Sequence, residues 1–216
     1  MIELRGIHKS YPYRVGGKRK ILNGLDLTLR RGEALGIMGR NGAGKSTLTR
    51  ILSGIEHFEA GHISRSMTVS WPLGYAAAFQ GSLTGADNTR FIARIYGRPI
   101  NECLEIVQEF ADLGQYFRMP VHTYSAGMRS RLSFGISLAV DFECILIDEI
   151  TGAGDHRFAV KSEAAIQARR ERGSLLMVSH DWMTLDRYCD RFAIISEGRL
   201  HMHKSAVEMV EAYNAL

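Results

Sequence analysis

Gly39-Arg40-Asn41-Gly42-Ala43-Gly44-Lys45-Ser46, followed by Thr47, is the stretch that decides how the rest of this chain is read. It satisfies G-x-x-x-x-G-K-[ST] at every fixed position. The apolar run Ala34 to Met38 comes immediately before it. From Ser46 to Leu52 the apolar spacing turns helical, and Gly54 closes that helix. A buried strand, a glycine-rich loop and a helix in that order make a phosphate cradle. The glycines let the backbone curl until successive N–H groups point at one anion, and the helix N-terminus adds partial positive charge. Lys45 is then set to reach the β- and γ-phosphates of a nucleotide, and the Ser46 hydroxyl to ligate Mg2+. A chance match on an ordinary strand–turn–helix would lack this flanking context.

Further along, Cys144-Ile145-Leu146-Ile147-Asp148-Glu149 is an apolar strand that ends in two acids. Alone, such a run is most often a strand end turning to solvent. Downstream of a phosphate loop it becomes a metal and base pair. Asp148, at the carboxyl end of a parallel strand, stands where it can hold Mg2+ through water. Glu149 is then positioned to polarise an attacking water. The Asp-Glu doublet, and the lack of an Asn-Lys-x-Asp guanine reader, argue against a small GTPase.

The segments around these motifs sort into two kinds. Ile2 to Ile7 and Leu25 to Leu29 alternate as strands, with a turn at Arg31-Gly32-Glu33. From Thr84 to about Val140 the signals are helical, over Asn88–Tyr96, Asn101–Leu113 and Ala126–Val140. Thr84 with Asp87 three residues on reads as a capping box, and Gly97-Arg98-Pro99 and Met119-Pro120 break the helices. Buried-strand runs then return at Cys144–Ile147, Ser174–Ser179 and Phe192–Ser196. Helices are expected at Arg157–Glu171 and from about Ser205 to Ala215. Apolar runs alternating with helices predict an α/β fold, a parallel sheet covered on both faces. The chain reads as one domain over 1–216, with a core at 1–80 and 141–216 and an inserted helical lobe at about 81–140.

Composition narrows the function classes. Hydrophobic residues make up 45% and charged residues 23%, the balance of a folded globular chain. No stretch approaches the ~18 consecutive apolar residues that span a bilayer, and the N-terminus lacks the pattern of a signal peptide. A membrane role would therefore come through a partner. Cys103, Cys144 and Cys189 are odd in number and widely spaced, which predicts reduced thiols rather than disulfides or a zinc site. Lys and Arg exceed Asp and Glu by 27 to 23, and the resulting +4 fits nucleotide, nucleic acid or an anionic surface alike.

Five further places resemble the ABC (ATP-binding cassette) ATPase family, and the resemblance covers essentially the whole chain. Tyr124-Ser125-Ala126-Gly127-Met128 opens a helix where such cassettes carry their Leu-Ser-Gly-Gly-Gln signature. By itself Ser-Ala-Gly is only a helix N-cap. In this context Ser125 and the first-turn N–H groups of Ala126 and Gly127 form an anion site for the γ-phosphate of ATP held by a second subunit. Ala126 replaces a glycine but keeps its N–H, and Met128 replaces a glutamine. Gln80, after the apolar stretch from Gly74 to Phe79, matches the Q-loop glutamine that senses Mg2+ and connects to a membrane partner. His180 in Val178-Ser179-His180-Asp181 matches the switch histidine on the γ-phosphate. Asp155 in Thr151-Gly152-Ala153-Gly154-Asp155 matches the D-loop aspartate, with Ile150 where many cassettes have proline. Tyr11 matches the aromatic that stacks on adenine, with Tyr13 as its rival.

The resemblance tightens at Ser70-Trp71-Pro72-Leu73-Gly74 and Phe79-Gln80-Gly81-Ser82-Leu83-Thr84-Gly85, which look like the ATPase subunits of bacterial capsular polysaccharide exporters. That likeness implies a phosphate-loop ATPase core with an N-terminal antiparallel β portion, ATP and Mg2+ as cofactors, and a homodimer. It implies two copies of an integral membrane permease subunit, periplasmic export components, and a place on the cytoplasmic face of the inner membrane. The exported polymer would be an acidic, lipid-linked polysaccharide. Export of O-antigen or teichoic acid is the alternative. The chain ends soon after its last strand, which leaves no room for an added carbohydrate-binding domain. A soluble cassette acting on nucleic acid or ribosomes fits less well, because no second cassette or long coiled-coil insertion is present, and no nucleic-acid partner is expected.

Overall fold

Apolar alternation in the first thirty positions builds an antiparallel ladder. In the computed structural model, which describes residues 1–12, 16–73, 75, 79–148 and 156–216, β1 (Ile2–Pro12) pairs with β2 (Lys18–Leu29). Ile2 stands opposite Leu29 and Tyr11 opposite Arg19. A third strand, β4 (Ala60–Arg65), takes the other edge of β1. Period-2 alternation, reset by an irregularity in the ladder between Leu4 and Ile7, sends Ile2, Leu4 and Ile7 of β1 and Leu25, Leu27 and Leu29 of β2 to one side, where all six are buried.

The second sheet has six strands. Its order is β5 (Val69–Pro72), β6 (Cys144–Asp148), β7 (Ser174–Val178), β3 (Ala34–Met38), β8 (Arg191–Ser196) and β9 (Arg199–His203). The first five run parallel and β9 is antiparallel to β8. Every residue of β3 and β7 is buried, as parallel strands covered on both faces require. Glu197 and Gly198, both at positive φ (51 and 75), make the two-residue turn that returns β8 into β9. Such primed turns match the strand twist. One core draws Leu22, Leu25 and Leu29 from the antiparallel sheet, Leu48, Ile51 and Leu52 from helix α1 (Lys45–Leu52), and Leu35, Leu146, Leu176 and Ile195 from the second sheet.

Both sheets lie in a unit formed by Met1–Pro72, Glu143–Glu149 and Arg169–Leu216. A second unit comprises Leu73–Phe142 and Ile150–Ala168. Its helices are α2 (Gly85–Ile95), α3 (Ile100–Ala111), α4 (Ala126–Val140) and the greater part of α5 (His156–Arg170). Residues 156–168 group with these helices. The physical reason is an aromatic cluster. Phe110 of α3, Phe134 of α4 and Phe158 of α5 meet edge to face, with centroids 4.9, 5.5 and 6.4 Å apart. Thr84 caps α2 as expected, its Oγ1 accepting from Asp87 N at 3.0 Å. Helix α3 stops at Ala111 rather than Leu113, because Asp112 turns left-handed at φ 48. Strands β4, β5 and β9 and the short helix α6 (Trp182–Tyr188) had no expectation attached to them; the chain closes with α7 (Ala206–Asn214).

Candidate active site

Strand register assembles the site. Ile37 of β3 pairs with Val178 of β7, and Val178 pairs in turn with Asp148 of β6. Three parallel neighbours therefore end in one row, and whatever follows each of them emerges at the same edge. Gly39 comes two residues after Ile37, and His180, exposed, two after Val178. The phosphate loop, Asp148 and His180 thus share the carboxyl edge of the sheet.

The loop is shaped by close approaches. A Cβ on Gly39 would stand 2.6 Å from Ile195 Cγ2 and 2.8 Å from the Ile195 carbonyl oxygen. Gly44, at φ 110, is pressed by Ile21 Cγ2 and Leu22 Cδ2, each 3.0 Å from its Cβ position. Only glycine fits either place. Lys45 is nearly buried, and its Nζ donates to Gly39 O at 2.6 Å and Arg40 O at 3.2 Å. An ammonium has three N–H donors, so one remains for an anion in the cradle. The first turn of α1 has no acidic side chain, so the partial positive charge of its N-terminus is not cancelled locally.

Asp148 is held from the helix that bears Ser46. Thr49 is fully buried, and its Oγ1 lies 3.2 Å from Asp148 Oδ2 and 3.1 Å from Ser46 O, its single O–H shared between the two acceptors. Among the described residues nothing donates to Oδ1. The exposed Ser46 hydroxyl and this anchored carboxylate are hard oxygen donors of the kind Mg2+ takes beside phosphate and water. The chemistry of the donor set fits the ion. Glu149 and Asp155 lie outside the described residues.

Tyr11 sits in a polar cluster next to α1. Its hydroxyl donates to Glu56, lies 3.3 Å from Thr47 Oγ1 and accepts from Arg50 Nη2 at 3.3 Å. Lys9 Nζ is 3.0 Å from Glu56 and 5.1 Å from the Tyr11 ring centroid. Burial pushes the Glu56 carboxyl up, but hydrogen bonds from Tyr11, Lys9 and Arg50 outweigh it and hold the group below the usual carboxylate range. Tyr13, the rival platform, lies outside the described residues.

The helical unit carries Gln80 and the signature residues Ser125, Ala126 and Gly127. Gln80 is exposed, and its backbone is clamped by Asn88 of α2. Gln80 N–H donates to Asn88 Oδ1 at 3.0 Å, and Asn88 Nδ2 donates to Gln80 O at 3.1 Å. Ser125 is the N-cap of α4, accepting from Met128 N at 3.2 Å, and Ser125 and Ala126 are exposed. Its hydroxyl hydrogen is still available to donate. A Cβ on Gly127 would meet nothing nearer than Ser125 Oγ at 3.9 Å.

Sequence reasoning missed Thr49, Glu56 and Asn88. Two of these had a signal: Thr49 is a polar residue on the apolar face of α1, and Asn88 falls within the first turns of a capped helix. A buried polar side chain needs a partner, and asking for those partners would have pointed to Asp148 and Gln80. Nothing local marks Glu56.

A phosphate loop on a mainly parallel sheet, with an acid and a histidine at the ends of adjacent strands, defines a phosphate-loop nucleotide-binding protein. The model of the ABC transporter family matches residues 22–152. Over 216 residues the chain is 44% identical to the capsule polysaccharide export ATP-binding protein CtrD of Neisseria meningitidis serogroup B, covering 100% of both. It is 42% identical to the polysialic acid transport ATP-binding protein KpsT of Escherichia coli, covering 99% of this chain and 98% of that one. A solved dimeric ATP-binding cassette in a post-hydrolysis state, bound to ADP and Pi, superposes with a TM-score of 0.80 at 19% identity. The match covers 94% of this chain and 98% of that one. This chain belongs to the ABC transporter family.

Proposed function

We propose that this chain binds and hydrolyses ATP to power export of a capsular polysaccharide across a bacterial inner membrane. It would act as a homodimer with two copies of an integral membrane permease subunit, at the cytoplasmic face and in line with periplasmic export components. The observation that carries the ATPase reading is the row formed by Ile37, Val178 and Asp148, which sets loop, acid and histidine on one sheet edge. Full-length identity of 44% to a capsule export protein supports the substrate class. No helix among the described residues is long and apolar enough to cross a membrane.

In this reading Tyr11 stacks on adenine, and the N–H groups of the Gly39–Thr47 loop cradle the phosphates together with Lys45. Ser46, Asp148 and Gln80 would hold Mg2+, which when bound neutralises charge developing on the phosphate oxygens. Glu149 orients and deprotonates the attacking water, and His180 donates to the transferring phosphoryl group. Ser125, Ala126 and Gly127 of one copy receive the γ-phosphate held by the other, with Asp155 at the shared interface. The open space at Gly127 supports that assignment, since no neighbour in its own chain requires a glycine there.

The test combines binding, turnover and export. Lys45→Ala is expected to weaken ATP binding, because it removes the fixed charge at the phosphates. Glu149→Gln keeps the shape and loses the base, so it is expected to bind ATP, accumulate as a dimer and release almost no phosphate. In a strain lacking its own capsule-export ATPase, the wild-type chain restores surface capsule and neither variant does. Wild-type phosphate release by Glu149→Gln would overturn the ATPase assignment, and a chain active in vitro that leaves the surface bare would overturn the substrate class.

A further inference from the structure

Arg19 brings a guanidinium to the phosphate loop from outside it. Tyr11 and Arg19 are direct partners in the β1–β2 ladder, so their side chains leave the same face. From that face the Tyr11 hydroxyl reaches Thr47 at 3.3 Å. Arg19 reaches the middle of the loop, where a Cβ on Gly42 would lie 3.4 Å from its Nη2. Ile21, two residues further along β2, presses Gly44 at 3.0 Å. The strand therefore runs alongside the cradle, with Arg19 at Gly42 and Ile21 at Gly44. Gly42 is exposed and takes φ 78.

Neighbouring Lys18 pairs with Glu59 at 3.5 Å, whereas the Arg19 side chain makes no hydrogen bond or ion pair with any described residue. A guanidinium is planar, permanently charged and able to bond two phosphate oxygens at once.

We propose that Arg19 is a second phosphate-binding cation of this site, bonding phosphate oxygens of the nucleotide from outside the loop. The proposal rests on the nucleotide reading given above. Lys45 is fixed inside the loop by two carbonyls, while Arg19 comes from the hairpin and is free to close on the ligand. Two cations from two separate elements would tie the hairpin bearing Tyr11 to the bound phosphates.

The experiment is calorimetric titration of ATP and ADP into the full chain, for wild type, Arg19→Ala, Arg19→Gln, Arg19→Lys and Lys45→Ala. An exposed charge-assisted contact predicts that Arg19→Ala and Arg19→Gln raise the dissociation constant roughly threefold to tenfold. Arg19→Lys recovers part of that loss. The difference from wild type shrinks as salt is raised, since solvent-exposed charges are screened. The melting temperature without nucleotide stays at the wild-type value, because Arg19 supports nothing in the fold. Wild-type affinity in Arg19→Gln alongside weakened binding in Lys45→Ala would overturn the role of Arg19 alone. Wild-type affinity in Lys45→Ala as well would overturn the nucleotide reading with it.

Discussion

Replacing Gly39 with Ala adds one methyl group at the point where β3 enters the loop, and the structure says what that methyl meets. The nearest atoms are Ile195 Cγ2 at 2.6 Å and the Ile195 carbonyl oxygen at 2.8 Å. Carbon atoms rest at about 3.5–4.0 Å, so the shortfall is roughly 1 Å. A side-chain methyl can swing aside, but the carbonyl belongs to β8, paired with β3 on one side and β9 on the other. The loop must move instead. Overpacking of this kind costs about 1–3 kcal/mol, and the immovable carbonyl puts this case at roughly 2–3 kcal/mol. For a chain of this size each kcal/mol lowers the melting temperature by about 2–4 °C, which predicts a fall of roughly 4–12 °C. A shift of about 1 Å at a phosphate cradle can also cost on the order of a hundredfold in turnover.

Gly54→Ala is the matched control. Gly54 has φ 80 and nothing within 4 Å of its Cβ position, so alanine there adds backbone strain without crowding. That strain costs roughly 1–2 kcal/mol and leaves the loop where it is. Thermal unfolding and ATP titration of both variants separate the two effects: both lose stability, and only Gly39→Ala loses ATP affinity. Wild-type ATP affinity in Gly39→Ala, or an equal loss in Gly54→Ala, would refute the argument from crowding.

Thr49→Val keeps the shape of the side chain but removes the donor to Asp148. Its melting temperature is expected to fall by about 2–4 °C for a loss near 1 kcal/mol, and the Mg2+ concentration for half-maximal phosphate release is expected to rise. An unchanged Mg2+ requirement would mean that Thr49 does not position the acid. Glu56→Gln tests the Tyr11 cluster through pH. The folded-state pKa of Glu56 is lowered, so its contribution to stability is present above the unfolded value and is lost as pH falls through the folded one. The variant is expected to melt below wild type at neutral pH and to converge with it in acid, and a gap independent of pH would refute the electrostatic origin.

Local chemistry was legible in the sequence, and long-range register was not. The loop, the strand ending at Asp148 and the Thr84 cap each announce themselves within a few residues, because each is a local bonding problem. Strand β9 escaped because Arg199-Leu200-His201-Met202-His203 is an edge strand with polar residues at alternate positions and no long apolar run. Helix α6 has only seven residues, too few to show a period. The pairing of Ile37 with Val178 and of Val178 with Asp148 joins residues far apart in the chain, and no local pattern encodes it. Thr49, Arg19 and Glu56 stayed hidden for the same reason, since each acts on a residue distant in sequence. Phe158, distant in sequence from Phe110 and Phe134, joins their cluster, and no local pattern encodes that contact either.

The glycines divide the site into a part the chain completes by itself and a part it does not. Gly39 and Gly44 are required by their own chain, with neighbours at 2.6 and 3.0 Å from their Cβ positions, so the cradle would need glycine there even without a ligand. Gly127 differs, because a Cβ there would meet nothing nearer than 3.9 Å and the residue lies on a regular helix rather than at positive φ. A glycine inside a helix costs roughly 0.5–1 kcal/mol relative to alanine. Neither packing nor backbone conformation offsets that cost within this chain. The offset must then come from whatever approaches the first turn of α4, and a phosphate held by a second copy is a group that needs backbone N–H groups without a Cβ in the way. In the proposed reading each copy would supply half of a catalytic site, and closure of two copies around ATP would be what turns hydrolysis into movement of the membrane partner.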